Sequence, residues 1–357
     1  MKVGIAGAGL VGRLLAWALI PMGWEVTLFD QDDERGQQSC AYAAAGMLSP
    51  IAEMENSDHR LYELGLYSLR RWPEIIAALP EAVYFQQQGS LMVAHRQEIN
   101  ELKHYAQLLE RRLPSPDLPY SLLSSSDILQ LEPELTRSLF ALYFAREGQL
   151  DNQTLLQALG TALHTHHVHW HPLKKIVHVT AGKIMLENAT FSFDVAVDCR
   201  GLGAKSHFPL LRGVRGELLW LHAPAVSIHR PIRLWHPRYR LYIVPRPYHH
   251  YLIGASEIES EDMTPISVRS TLELLSAAYS VHPGFAEARV IRSVVHCRPT
   301  LPDHLPKIKY ADGLIAINGL YRHGFLIAPA LIDAVLSWLH DRYQPLAHSF
   351  LWEPLYA

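Results

Sequence analysis

The sequence predicts an α/β plus α+β protein, in which a three-layer α/β domain is interleaved with a second domain built on a mostly antiparallel sheet. Three observations carry that prediction. The chain opens with a strand, a G-x-G-x-x-G turn and a helix-like segment, ending near Met22. Short alternating strands punctuated by Pro and His fill Val214 to Val295. A second strand, glycine turn and helix follow, Gly313 to His340. One fold with parts near both ends of the chain requires an interleaved partner. The expected division is 1–85, 149–212 and 298–357 for the α/β domain, with 86–148 and 213–297 for the other.

Each part of the opening unit has a physical task. Gly7 permits a tight turn, Gly9 lets a pyrophosphate approach the backbone, and Gly12 lets helix and strand pack closely. Leu10 and Val11 stand between Gly9 and Gly12, and the helix-like segment that follows, Arg13 to Met22, offers free N–H groups and a positive dipole end to phosphates. Asp30 ends the second strand, 18 residues after Gly12. Its carboxylate can accept ribose hydroxyls and would repel a 2′-phosphate, so FAD or NAD fits this Rossmann-like unit and NADP does not. Lys2 before an apolar run also resembles the start of a signal peptide, but Arg13 interrupts that run.

Composition bounds the rest. At 357 residues the chain is long enough for two cores, and 49% hydrophobic with 19% charged residues excludes long disorder. A net charge of −3 gives no pull toward nucleic acid. No apolar run has the roughly 20 residues of a membrane span. Cys40, Cys199 and Cys297 are scattered, which points to a reducing cytoplasm and to no structural zinc. Histidines cluster at His164, His166, His167, His169 and His171, without the carboxylate or thiol partners of a metal site.

Along the chain, Ser39 to Pro50 is rich in Ala and Gly, so its backbone can lie against a flat ligand. Ser57 to Leu79 and Ile99 to Leu113 read as amphipathic helices, the second ended by Pro114-Ser115-Pro116-Asp117. Gly89 to Ala94 reads as a strand. Asp151 or Asn152 caps a third helix, and Val168 falls in a strand after it. Ala196 to Asp198 is a strand ending in the turn Cys199-Arg200-Gly201. Leu218 to His222, Tyr242 to Pro245 and Tyr251 to Ser256 are strands of the antiparallel sheet, interrupted by a helix over Val268 to Tyr279. The final helix is read over Ile327 to His340.

Several segments together resemble the amino-acid-oxidising flavoproteins, the family of D-amino acid oxidase, sarcosine oxidase and glycine oxidase. They are the opening unit, Ala43 to Pro50, Arg298-Pro299-Thr300-Leu301-Pro302-Asp303, and Asn318 to Pro329. Tyr242 to Arg246 and Leu252 to Ser256 look most like the glycine oxidase branch associated with thiamine biosynthesis. The resemblance implies FAD rather than free NAD. It implies that Ala44, Ala45, Gly46 and Met47 lie along the isoalloxazine. It implies that the turn Gly319, Tyr321, Arg322, His323, Gly324, Phe325 and Leu326 presents N–H groups to the flavin N1/C2 carbonyl edge, where reduced flavin gathers negative charge. It places adenine against the backbone at Val168, and Cys199 and Gly201 beside the dinucleotide.

The resemblance also implies a pocket roofed by the antiparallel sheet. Arg298 would anchor a substrate carboxylate through two parallel donors. Tyr242 would add a hydroxyl to the same carboxylate, and Arg322 is a second cation; the bland alternatives are an ion pair for Arg298, a core role for Tyr242 and an Asp303 partner for Arg322. Glu257 departs from the pattern, and a carboxylate there would favour a cationic or larger amine. No general base is assigned, because a neutral amine over the flavin can deliver hydride directly. The expected activity is oxidative deamination of glycine or another small amino acid or amine, with O2 giving H2O2. Electron transfer to a quinone or protein, or a non-catalytic FAD protein, are the alternatives. Homo-oligomerisation is an expectation by analogy.

Overall fold

The structure is a computed structural model that describes residues 1–54, 58–113, 120–135, 139–236, 240–340 and 348–355. The opening glycine unit feeds a seven-stranded sheet. Its order is Trp352–Pro354, Lys307–Ala311, Leu314–Asn318, Val195–Asp198, Lys2–Ala6, Glu25–Phe29 and His169–His171. All its neighbours run parallel except the hairpin Lys307–Ala311 with Leu314–Asn318. Parallel strands need both faces covered, and their apolar runs show it: Leu314–Asn318 is buried at every position.

One face is covered by helices Leu10–Leu19, His59–Ala77, Asn152–Thr165 and Gly324–His340, which form the main core with the sheet. Gly324–His340 is apolar nearly all round, as a helix packed between others must be. The other face is covered by a three-stranded antiparallel sheet, Ile176–Thr180, Lys183–Leu186 and Thr190–Ser192, through Val179, Ile184, Phe29 and Leu314. The result is a three-layer unit.

The second sheet has eight strands in the order Arg289–Thr300, Arg212–His222, His250–Gly254, Arg240–Arg246, Ile232–Trp235, Ser90–His95, Leu139–Phe144 and Ser121–Leu123. Only Ile232–Trp235 with Ser90–His95 is parallel. That pairing joins the strands before residue 148 to those after residue 212. Helix Val268–Val281 packs on this sheet through Leu274, Ala277, Ala278 and Val281.

Most expected elements are present within a residue or two, and the differences have physical causes. The last helix begins at Gly324 rather than Ile327, because Ile327 N–H already bonds His323 O at 3.0 Å. Val168 precedes its strand, which is only His169–His171. His167 lies in a left-handed turn at φ 55°, before the strand that carries His169 and His171. His171 stacks on Phe29 at 4.8 Å, and among the described residues no three His, Cys, Asp or Glu side chains group to hold a metal. Asp151 caps Asn152–Thr165 by accepting from Gln153 and Thr154 N–H. The Pro114 to Asp117 stop lies outside the described residues.

Candidate active site

A cleft of about 1140 Å³ runs between the two large sheets, and nearly all residues singled out above meet in it. At one end the strand Lys2–Ala6 breaks into the glycine turn. Gly7 has φ +103°, and a Cβ there would lie 2.6 Å from Cys199 O. A Cβ on Gly12 would lie 1.8 Å from Gly7 O, so Gly12 works behind the turn. Gly9 is different: nothing lies within 4 Å of its Cβ position, which opens into the cleft with Leu10 and Val11. This is the cradle that a diphosphate needs.

Asp30 lines the same end. Its carboxylate accepts from Ala8 N–H and, at 2.8 Å, from Asp32 N–H. Burial raises its pKa, and these two donors oppose that rise. Arg13, read from sequence only as a break in an apolar run, is wholly buried. It donates to Ala8 O (2.7 Å), Leu156 O (2.8 Å) and Glu34 O (2.9 Å), and its ring neighbour is Trp170. Burial lowers its pKa to about 10. It therefore ties the glycine turn to the loop after Asp30. Cys199 and Gly201 line this end too, and burial pushes the Cys199 thiol well up.

Val168 is a correction. It lies at the opposite end of the sheet, in a separate recess of about 170 Å³ with Ile20, Trp24 and His167. The cleft is lined instead by Lys175, Ile176 and Val177, just beyond the strand's C-terminal end. Ligands meet a parallel sheet at that edge, so the sequence reading chose the wrong end of the strand.

In the middle, Ala44 to Met47 line the cleft. Gly46 has φ +62°, and a Cβ there would lie 2.1 Å from Leu150 O. Buried Arg246 fixes this stretch by donating to Ala45 O (2.7 Å), Leu150 O (2.9 Å) and Gln149 Oε1 (2.9 Å). Opposite runs the turn from Asn318. The Asn318 amide donates to Gly201 O at 2.8 Å and accepts from Gly319 N–H at 2.9 Å. Gly319, φ +76°, abuts Leu301 and does not face the cleft. Tyr321, also left-handed at φ 50°, is held by Pro299 O at 3.0 Å. Tyr321 to Leu326 then line the cleft, and nothing fills the Cβ position of Gly324.

Arg298, Tyr242, Glu257 and Arg322 converge beside that turn. Arg298 donates through both terminal nitrogens to Ser256 O at 3.2 Å, and among the described residues no carboxylate pairs with it. Burial raises the pKa of Tyr242, so its phenol stays a donor. Arg322 is committed: it pairs with Glu53, and at 3.1 Å with Glu257. Its partner is thus not Asp303, which accepts from Leu305 N–H. Glu53 also pairs with Arg233. Burial alone would raise the Glu53 pKa, but the two guanidinium groups hold its carboxyl well below the usual range. Glu53 and Arg233 both line the cleft and were not found from sequence, because each is an isolated charge without a motif.

His323 lies buried behind this cluster. Burial lowers its pKa to about 4, an effect that Glu53 opposes and Arg322 and Arg233 reinforce. The unfolded chain binds a proton below about pH 6.5 while the folded one does not, so stability falls as pH drops from 6.5 to 4. Denaturant midpoints measured across that range should fall less steeply for His323→Asn than for the parent.

Comparison with known proteins agrees with this geometry. The family profile described as FAD dependent oxidoreductase, DAO, matches residues 2–336. A Rhizobium etli protein named as a thiamine biosynthesis oxidoreductase, ThiO, is 37% identical over 336 residues, 94% of this chain and 95% of that one. The crystal structure of glycine oxidase from Geobacillus kaustophilus superposes with TM-score 0.85 at 23% identity, covering 98% of this chain and 97% of that one. Iminodiacetate oxidase from Chelativorans sp. BNC1 gives 0.84 at 19% identity, covering 99% of both.

Proposed function

The chain belongs to the DAO family of FAD-dependent oxidoreductases, and from that premise we propose that it oxidises glycine or another small amino acid at the C–N bond. The observation that carries the reading is Arg298: a cation at the cleft wall, beside Tyr242 and the Tyr321 to Leu326 turn, with no acidic partner among the described residues. The cleft fits FAD on its own geometry, because Gly9 and Gly324 leave open space where side chains would intrude. Gly7 to Val11 and Asp30 would hold the diphosphate and ribose, Ala44 to Met47 would flank the ring, and Cys199, Gly201, Lys175 and Ile176 would enclose the adenosine end.

The chemistry FAD supplies when bound is acceptance of a hydride from substrate Cα at N5, with O2 as final oxidant and H2O2 as product. The chain contributes orientation. Arg298 takes the substrate carboxylate in a forked, charge-assisted pair, and Tyr242 donates a further hydrogen bond. The N–H groups at the start of helix Gly324–His340 present positive potential to the ring edge. No side chain is assigned as a general base, so the substrate reacts as its neutral amine. The division into FAD and substrate domains and the cytoplasmic setting, to which three free cysteines are suited, belong to the same reading. No described helix is long and apolar enough to cross a membrane.

The test is anaerobic titration of flavin-loaded protein with glycine, sarcosine and D-amino acids, followed by admission of O2. Bleaching by a small amino acid and stoichiometric H2O2 are expected. Bleaching without O2 consumption would make it a dehydrogenase, and no bleaching by any of them would remove the amino-acid assignment. Tyr242→Phe should raise KM by about 10- to 100-fold with little change in kcat, since one charge-assisted hydrogen bond is worth about 1.5–3 kcal/mol. Steady-state kinetics on the best substrate checks it.

A further inference from the structure

At the substrate end the cleft wall carries three guanidinium groups, Arg233, Arg298 and Arg322, and two carboxylates, Glu53 and Glu257. The pairing is uneven. Glu53, only 11% exposed at its side chain, sits between Arg233 and Arg322 and forms an ion pair with each. Glu257 takes the other arm of Arg322 at 3.1 Å. Arg298 alone is left with only a backbone oxygen, Ser256 O. Among the described residues of this end, the wall therefore has one uncommitted positive charge. A second carboxylate on a ligand anchored at Arg298 would find both remaining arginines already neutralised. It would also face two anions in a partly desolvated cleft, where like charges are costly.

We propose that Glu53 is a specificity-determining residue that confines this site to monocarboxylate amino acids and rejects those with a second carboxylate. It acts through the arginines it occupies, so it is a positioning residue. The inference rests on the reading of the cleft as an amino-acid site with Arg298 as its anchor.

Two unreactive ether acids test it. Methoxyacetate and diglycolate differ only in the second carboxylate and lack an oxidisable amine. Each is titrated into the flavin-loaded protein, and the dissociation constant is read from perturbation of the flavin absorbance. The parent should bind methoxyacetate at least about tenfold more tightly than diglycolate, and Glu53→Gln should shift that ratio toward diglycolate by about tenfold or more. Glu53→Asp, which keeps the charge, should keep the preference better than Glu53→Gln. Equal binding of the two acids by the parent overturns the proposal, as does an unchanged ratio in a Glu53→Gln protein that still binds methoxyacetate. Should Glu53→Gln not fold, the parent's ratio decides alone. If neither acid perturbs the parent's flavin, the amino-acid reading itself falls, a result distinct from the failure of the Glu53 role.

Discussion

Replacing Arg298 by Ala should raise KM for the best amino-acid substrate by about 100-fold or more while the protein remains yellow. The size follows from what is lost. A forked guanidinium–carboxylate pair in a partly desolvated site is worth about 3–5 kcal/mol when one partner is removed, and some of that is discounted because the cleft is open to solvent. FAD should stay bound because the glycine turn and Asp30 lie at the far end of the cleft. Arg298→Lys should fall between, since an ammonium keeps the charge and loses the fork. The guanidinium also lies against Gly216, where a Cβ would come within 2.4 Å of Arg298 Nη2. Gly216→Ala should therefore displace the same group without touching its charge, and raise KM in the same direction. Unchanged KM in Arg298→Ala would take this residue out of the site.

The second large effect separates two glycines of one motif. Gly12→Ala puts a methyl 1.8 Å from a backbone oxygen that cannot move without opening the turn. Overpacking against backbone costs more than the 1–3 kcal/mol typical of core insertions, so poor folding and colourless protein are expected. Gly9→Ala meets nothing within 4 Å in the protein itself. Its apo form should melt within a degree or two of the parent, yet bind FAD far more weakly, because the methyl stands where the diphosphate must approach. Thermal melts of stripped protein, followed by FAD titration, distinguish the two. Equal FAD affinity in Gly9→Ala and parent would show that the diphosphate lies elsewhere.

The opening turn was legible because its constraints are local: Gly7, Gly9, Gly12 and Asp30 fall within one strand–helix–strand unit. The late turn Asn318 to Leu326 was legible through resemblance rather than pattern, since a glycine pair before an apolar helix is common. What escaped depends on contacts between distant segments. Glu53 meets Arg233 across 180 residues, and no spacing rule links them. Arg246 stood in a quoted strand without a role, because the carbonyls it bonds belong to Ala45 and Leu150. Arg13 read only as a break in an apolar run, although three carbonyls from three segments surround it. Val168 was misplaced for a simpler reason: a strand has two ends, and only its C-terminal one faces the cleft.

The strand order has a consequence for biogenesis. Lys2–Ala6 has Val195–Asp198 as a neighbour, which in turn requires Leu314–Asn318. Lys2–Ala6 can pair early with Glu25–Phe29, but a ribosome must deliver Val195–Asp198 before its other edge is covered. Until then its apolar side chains need shelter from aggregation. Coenzyme capture becomes one of the closing events of maturation, and colour gained during synthesis in vitro should lag behind full-length product.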